Sequence, residues 1–126
     1  IMMSKEPKEF LKNGIINSDY SPRLYNALLN INKTGLQRNN KFKLIVSVIP
    51  DSETDLNLAR MKIVNKNIIN KLKNKLSKDI EFVDNSLTLN STDFLPLDRH
   101  YNKYGHISHA NALYLKIKNL SKNLCN

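Results

Sequence analysis

The sequence predicts an α/β domain built on a parallel sheet, and three observations predict it. Lys43-Leu44-Ile45-Val46-Ser47-Val48-Ile49 is a nearly continuous apolar, β-branched run of the kind buried on both faces of a parallel sheet, and Pro50 stops it. Beyond it, Leu58, Met61, Val64, Ile68, Leu72 and Leu76 step by three or four along one helix face. A second β-like run, Ile80-Glu81-Phe82-Val83-Asp84, follows within four residues. Strand, helix and strand then form one βαβ unit with a right-handed crossover, the first strand at the centre of the core.

The remaining elements follow from local signals. Ser4 to Asn13 is at best a weak amphipathic helix. Pro22 suits the first turn of a helix that runs through Leu24, Leu28 and Ile31, is capped by Ser21, and is ended by Gly35 and the Asn39-Asn40 pair. Asp51-Ser52-Glu53-Thr54-Asp55 is an acidic, cap-rich entry to the central helix, and lysines accumulate towards its end, where the helix dipole favours them. Asn85 to Tyr104 reads as a long irregular loop, which in a small domain marks function or a missed element. The last helix sets Ile107, Ala110, Leu113, Ile117, Leu120 and Leu124 on one face against the sheet, with Asn102 or Ser108 as its cap.

The chain has 126 residues, enough for one domain, here 1–126 with its core in 42–122, and no apolar run approaches the ~18 residues that span a bilayer. A lone Cys125 excludes an intrachain disulfide framework and a cysteine-based zinc site. The formal charge is +9, but Lys, Asn and Ile are together the residues an AT-rich genome favours, so basicity says little about nucleic acid. The opening Ile1-Met2-Met3 is not the expected Met start, so a trimmed chain, a processed product or a piece of something longer is expected; no signal-peptide pattern occurs in Ile1 to Gly14.

In an open parallel sheet, ligands bind outside the carboxyl ends of the strands, where loops and helix N-termini converge. The loop from Asp84 to Gly105 leaves such an end and carries Asp98 and His100 to the start of a helix. Residues i and i+2 of an extended segment point to the same side, so a carboxylate and an imidazole can be presented together. Such a pair performs general-base catalysis: the imidazole takes a nucleophile's proton, and the carboxylate fixes its tautomer and stabilises the imidazolium. The plainer alternative is that Asp98 caps a turn and His100 is an ordinary loop histidine.

The block Asp98-x-His100-x-Asn102-x-x-Gly105-His106, followed by an apolar helix with Ala110, resembles the C-terminal part of the SGNH/GDSL hydrolases, serine esterases and lipases. The strand, helix and strand upstream stand in the order of that family's last two strands, so the resemblance covers about residues 42 to 122. It implies a flavodoxin-like, three-layer α/β/α fold of which this chain is the C-terminal portion. It also implies His100 as catalytic base, Asp98 as the acid that orients it, no cofactor, and ester substrates such as acetylated sugars or lipids. Many members place the acid three residues before the histidine, where Leu97 stands here; Asp93 and Asp84 are the substitutes for Asp98. The family's Gly-Asp-Ser nucleophile block and its Gly-x-Asn-Asp block do not occur, so this chain alone is not expected to hydrolyse esters.

Other residues carry plainer readings. Ser47, inside the strand, reads as packing and Ser52 as a helix cap, neither on a glycine-flanked elbow. His106 and His109 share a helix face, but carboxylates are scarce around them, so no metal is expected; His106 is expected to pack near the loop and His109 to be exposed. Lys66 to Lys78 reads as the solvated face of an amphipathic helix. Two rival functions remain: a small basic module for nucleic acid or another anionic partner, and a catalytically inactive SGNH-like domain. The first lacks a basic aromatic-rich strand, zinc spacing and a glycine-rich phosphate loop.

Overall fold

The computed structural model describes residues 21–49, 58–96 and 100–124. The expected helix at Ser4 to Asn13 and the acidic helix entry at Asp51 to Asp55 lie outside them. In chain order the elements are α1 (Ser21–Arg38), β1 (Ile45–Val48), α2 (Leu58–Lys75), β2 (Glu81–Asp84), two short 3-10 turns (Asn85–Thr88 and Ser91–Asp93) and α3 (Lys103–Leu124). The described residues are mostly helical, with a small two-stranded parallel sheet.

The strand-helix-strand unit forms as its sequence dictates. β1 pairs with β2 in parallel, Ile45 opposite Glu81 and Val48 opposite Asp84. Alternation then divides the side chains. Leu44, Val46, Val48, Ile80 and Phe82 join Ile69, Leu72 and Leu76 of the α2 segment, with Tyr25 and Leu28 of α1 packed against them. Ser47 and Glu81, on the opposite face, meet α3 through His109 and Lys116. The ion pair of Lys116 and Glu81, at 2.8 Å and largely solvated, contributes about 0–1 kcal/mol but fixes direction. The start of β2 lies beside Lys116 and the latter part of β1 beside His109, so α3 runs antiparallel to the strands and its N-terminus stands at their carboxyl ends.

Several expectations change. β1 is only half-buried along its length, and the core centres on α2 and β2 instead. On α2, Asn65 and Ile69 are buried, whereas Ile68 packs only partly. Helix α1 runs through Gly35 to Arg38, so this glycine does not end it. A Cβ at Gly35 would come 2.3 Å from the Phe42 ring, and the bare backbone lets the chain fold Phe42 back over the helix. Asn39 ends α1 as expected, its side-chain oxygen accepting the Lys41 N–H at 2.9 Å. The α1 residues turned inward are Tyr25, Leu28 and Asn32, while Leu24 and Ile31 are exposed.

The largest change concerns α3. Ile107 is 55% exposed and Ile117 50%, although the apolar spacing predicts both on the face against the sheet. The face turned inward carries Gly105, His109, Ala112, Leu113, Lys116 and Leu120. Polar contacts at its first turn and middle set the rotation of this helix, overriding the apolar stripe. Truncating Leu72, 2% exposed, to Ala should therefore destabilise the protein by about 2–5 kcal/mol. Ile107→Ala should stay within about 0.5 kcal/mol of the parent in urea unfolding; comparable losses for the two would restore the original helix face.

Candidate functional site

The loop after β2 is built from short polar closures. Asp84 caps the first 3-10 turn: its Oδ1 accepts the Ser86 N–H at 3.0 Å, the Ser86 hydroxyl at 2.5 Å and the Asn65 amide at 2.5 Å. Asp93 closes the second, its Oδ2 accepting the Asn90 N–H at 2.7 Å. These two carboxylates, the substitutes for Asp98, thus act as turn-closing groups. The loop is more ordered than the sequence suggests, since Phe94 and Tyr101 form an antiparallel bridge and the Leu95 N–H donates to the His100 carbonyl at 3.0 Å. Only residues 96–99 connect the two arms.

His100 is exposed and stands three residues before α3, at the carboxyl-end side of the sheet. Asp98, with Leu97 and Arg99, lies outside the described residues. The block after His100 has a clear physical purpose. Asn102 Oδ1 accepts the N–H groups of Tyr104 (2.9 Å) and Gly105 (3.1 Å), two of the donors a helix N-terminus leaves unpaired. Its Nδ2 donates to the carbonyls of Thr92 (2.6 Å) and Phe94 (3.3 Å), and its backbone N–H to Asp93 O (2.9 Å). Asn102, not Ser108, is therefore the cap, and it also holds the loop to the helix. Gly105 completes the joint: a Cβ there would lie 2.3 Å from the Asp93 carbonyl oxygen and 2.8 Å from Tyr101 Cβ.

Tyr101 sits at the centre of an aromatic group, its ring 5.4 Å from Phe94, 5.6 Å from His106 and 5.9 Å from His109, the last two edge-on. Burial, reinforced by the charge of Asp93, pushes its hydroxyl up to about 12. Of the two helix histidines, His106 meets the loop at Tyr101 as expected, though exposed, whereas His109 is not the exposed residue the sequence predicts. His106 is exposed apart from its Tyr101 contact; His109 is half-buried, with Nε2 3.4 Å from Ser47 Oγ. The Asn85 amide donates to the same hydroxyl, so Ser47 Oγ joins Asn85 and His109. Ser47 is thus a hydrogen-bonded tie between sheet and α3. Among the described residues no group of three or more His, Cys, Asp or Glu could hold a metal.

The buried polar residues around this end of the sheet are Asn65, Asn85 and Ser86, each at most 1% exposed. Asn65 Nδ2 donates both to Val48 O (3.3 Å) and to Asp84, joining α2 to the ends of both strands. Sequence reasoning missed these residues; the available signal was an asparagine on the inward face of the central helix and another directly after a strand. Of the lysines from Lys66 to Lys78, Lys66, Lys73, Lys75 and Lys78 are exposed as expected, whereas Lys71 is half-buried. Comparison with known proteins finds no matching family model, curated protein or solved structure.

Two outcomes test this geometry. Gly105→Ala should cost about 1–3 kcal/mol through overpacking against the Asp93 carbonyl, and Asn102→Ala about 1–2 kcal/mol through loss of the cap, both read by urea unfolding. Equal stability of either variant with the parent would show that the joint is not strained or not used. Tyr101 favours its neutral form in the fold, so its contribution is complete below pH 10 and lost as pH rises towards about 12. Alkaline titration at 295 nm should show one late-ionising tyrosine that disappears in Tyr101→Phe, and that variant should lose less stability than the parent between pH 10 and 12.

Proposed function

We propose that this chain is the C-terminal portion of an SGNH-type serine hydrolase of flavodoxin-like, three-layer α/β/α architecture, acting on acyl or acetyl esters of sugars or lipids. One observation carries the reading: Asn102 and Gly105 anchor the start of α3, and the anchored segment presents His100 at the carboxyl-end side of the parallel strands. A generic loop histidine needs no such support. The helices against opposite faces of β1 and β2, and the half-buried β1 with no strand of the described residues along its other edge, also suit the end of a larger sheet.

In this reading His100 is the general base and Asp98 the residue that orients it. A serine supplied by the remainder of the enzyme attacks the ester carbonyl as His100 takes its proton; His100 returns that proton to the leaving alcohol. The same imidazole then activates water, which releases the acid and restores the serine. Asn102 and Gly105 are positioning residues, and no metal or cofactor takes part.

The decisive material is the coding sequence upstream of Ile1. It should encode a Gly-Asp-Ser after a β-strand, and the longer product should hydrolyse p-nitrophenyl acetate with a turnover that His100→Ala lowers by about three orders of magnitude or more. The 126-residue chain alone should show no His100-dependent turnover. A longer product lacking that serine block, or one indifferent to His100→Ala, would overturn the proposal.

A further inference from the structure

The outer face of α3 carries apolar residues that nothing among the described residues covers. Ile107, Tyr114 and Ile117 are 55%, 61% and 50% exposed, and Ala110 between them is exposed as well. These four stand at intervals of three, four and three, the spacing of a seam that meets a second helix. Lys103 precedes the seam by four residues and Ser121 follows it by four, so polar residues bound an apolar length of about 15 Å, close to three turns. Single exposed apolar side chains are ordinary on a protein surface, but a continuous stripe marks a contact. The contacts of α3 within this chain use the opposite face, through Gly105, His109 and Lys116.

Shape favours a helix as the occupant. The small side chain of Ala110 leaves a hollow beside Leu113, Tyr114 and Ile117, and in knobs-into-holes packing a leucine-sized side chain of the facing helix fills such a hollow. A lipid surface fits less well. In helical projection Asn111 and Lys118 fall between this seam and the exposed Tyr104 and Leu115, so a flat apolar medium reaching both would bury an amide and an ammonium group. A helix meets the seam alone and leaves Lys118 on its flank.

Charge decides which helix. α3 contains no aspartate or glutamate. Of its lysines, Lys116 pairs with Glu81, while Lys103, Lys118 and Lys122 are exposed. On the other flank Leu113 and Leu120 are half-buried towards the sheet, so Lys118 sets the charge beside the seam. A second copy of this chain would bring the same lysines and a further formal charge of +9. An acidic helix is instead attracted on approach and meets Lys118 at the rim with an opposite charge. We propose that the outer face of α3 docks an amphipathic helix of a partner protein, one with apolar residues at the same spacing and aspartate or glutamate beside them.

The test titrates synthetic peptides into the ¹⁵N-labelled chain, followed by NMR. The first consists of three Leu-Gln-Ala-Leu-Glu-Gln-Glu heptads, the second has lysine for each glutamate, and the third scrambles the first so that the apolar spacing is lost. The acidic heptad peptide should shift the backbone amides of Ala110, Tyr114 and Ile117 with Kd of about 10–200 µM, at least about tenfold tighter than either control. Ile117→Ser, at an exposed position, should weaken it at least about fivefold; Lys118→Glu should weaken the acidic peptide and tighten the lysine peptide. Shifts that do not saturate by about 1 mM, equal binding of the scrambled peptide, or binding that both variants leave unchanged would overturn the assignment. So would a dimer of the chain alone in sedimentation equilibrium that Ile117→Ser dissolves, or adsorption to phosphatidylglycerol vesicles that Ile117→Ser removes, since each identifies a different occupant.

Discussion

The constraint on which the loop and last helix depend is one amide side chain, Asn102. Its oxygen satisfies two N–H groups of α3 and its nitrogen two carbonyls of the segment at Thr92 and Phe94, so a single planar group sets the angle between loop and helix. An aspartate would keep the cap but lose both donations, and a serine lacks the second arm. With that angle fixed, the Asp93 carbonyl lies too close to the helix for any residue larger than Gly105. The rotation of α3 then follows, and with it the approach of His109 to Ser47 and of Lys116 to Glu81.

This ordering explains how much of the structure was legible in the sequence. The strand-helix-strand unit was legible because each part is declared by a short-range pattern: β-branched residues in a run, then apolar residues at helical spacing, then a second run. Asn102 was legible as a cap for the same reason. The inward face of α3 was not, since apolar residues surround much of that helix and the choice among faces is made by contacts with Asp93, Ser47 and Glu81, remote in sequence. His109 turned inward as a direct result. For α1, Gly35 resembled a terminator, but the Phe42 ring that needs its bare backbone lies beyond the turn.

Around the start of α3, Asn102 could be read from the sequence as one of two candidate caps, while the amide network beneath could not. Asn65, on an otherwise apolar face, donates to a strand carbonyl and to Asp84, and Asn85 donates to the Ser47 hydroxyl. Replacing such a buried network by aliphatic groups would have been compatible with burial alone. Amides instead require particular partners at particular strand ends, which specifies one register of helix against sheet. Periodicity records where apolar groups recur and is blind to this kind of specification.

Among the described residues β1 pairs with another strand along one edge only, which divides its backbone amides. The Glu81 N–H donates to Leu44 O, and in a parallel ladder alternate residues direct both amide groups to the same neighbour, so Leu44, Val46 and Val48 address β2 while Ile45 and Ser47 face the side that no strand of the described residues occupies. Deuterium from solvent would therefore replace the Ile45 and Ser47 amide protons far sooner than that of Val46, giving one short strand an alternating isotopic signature. A neighbouring strand seated along that side would erase the alternation.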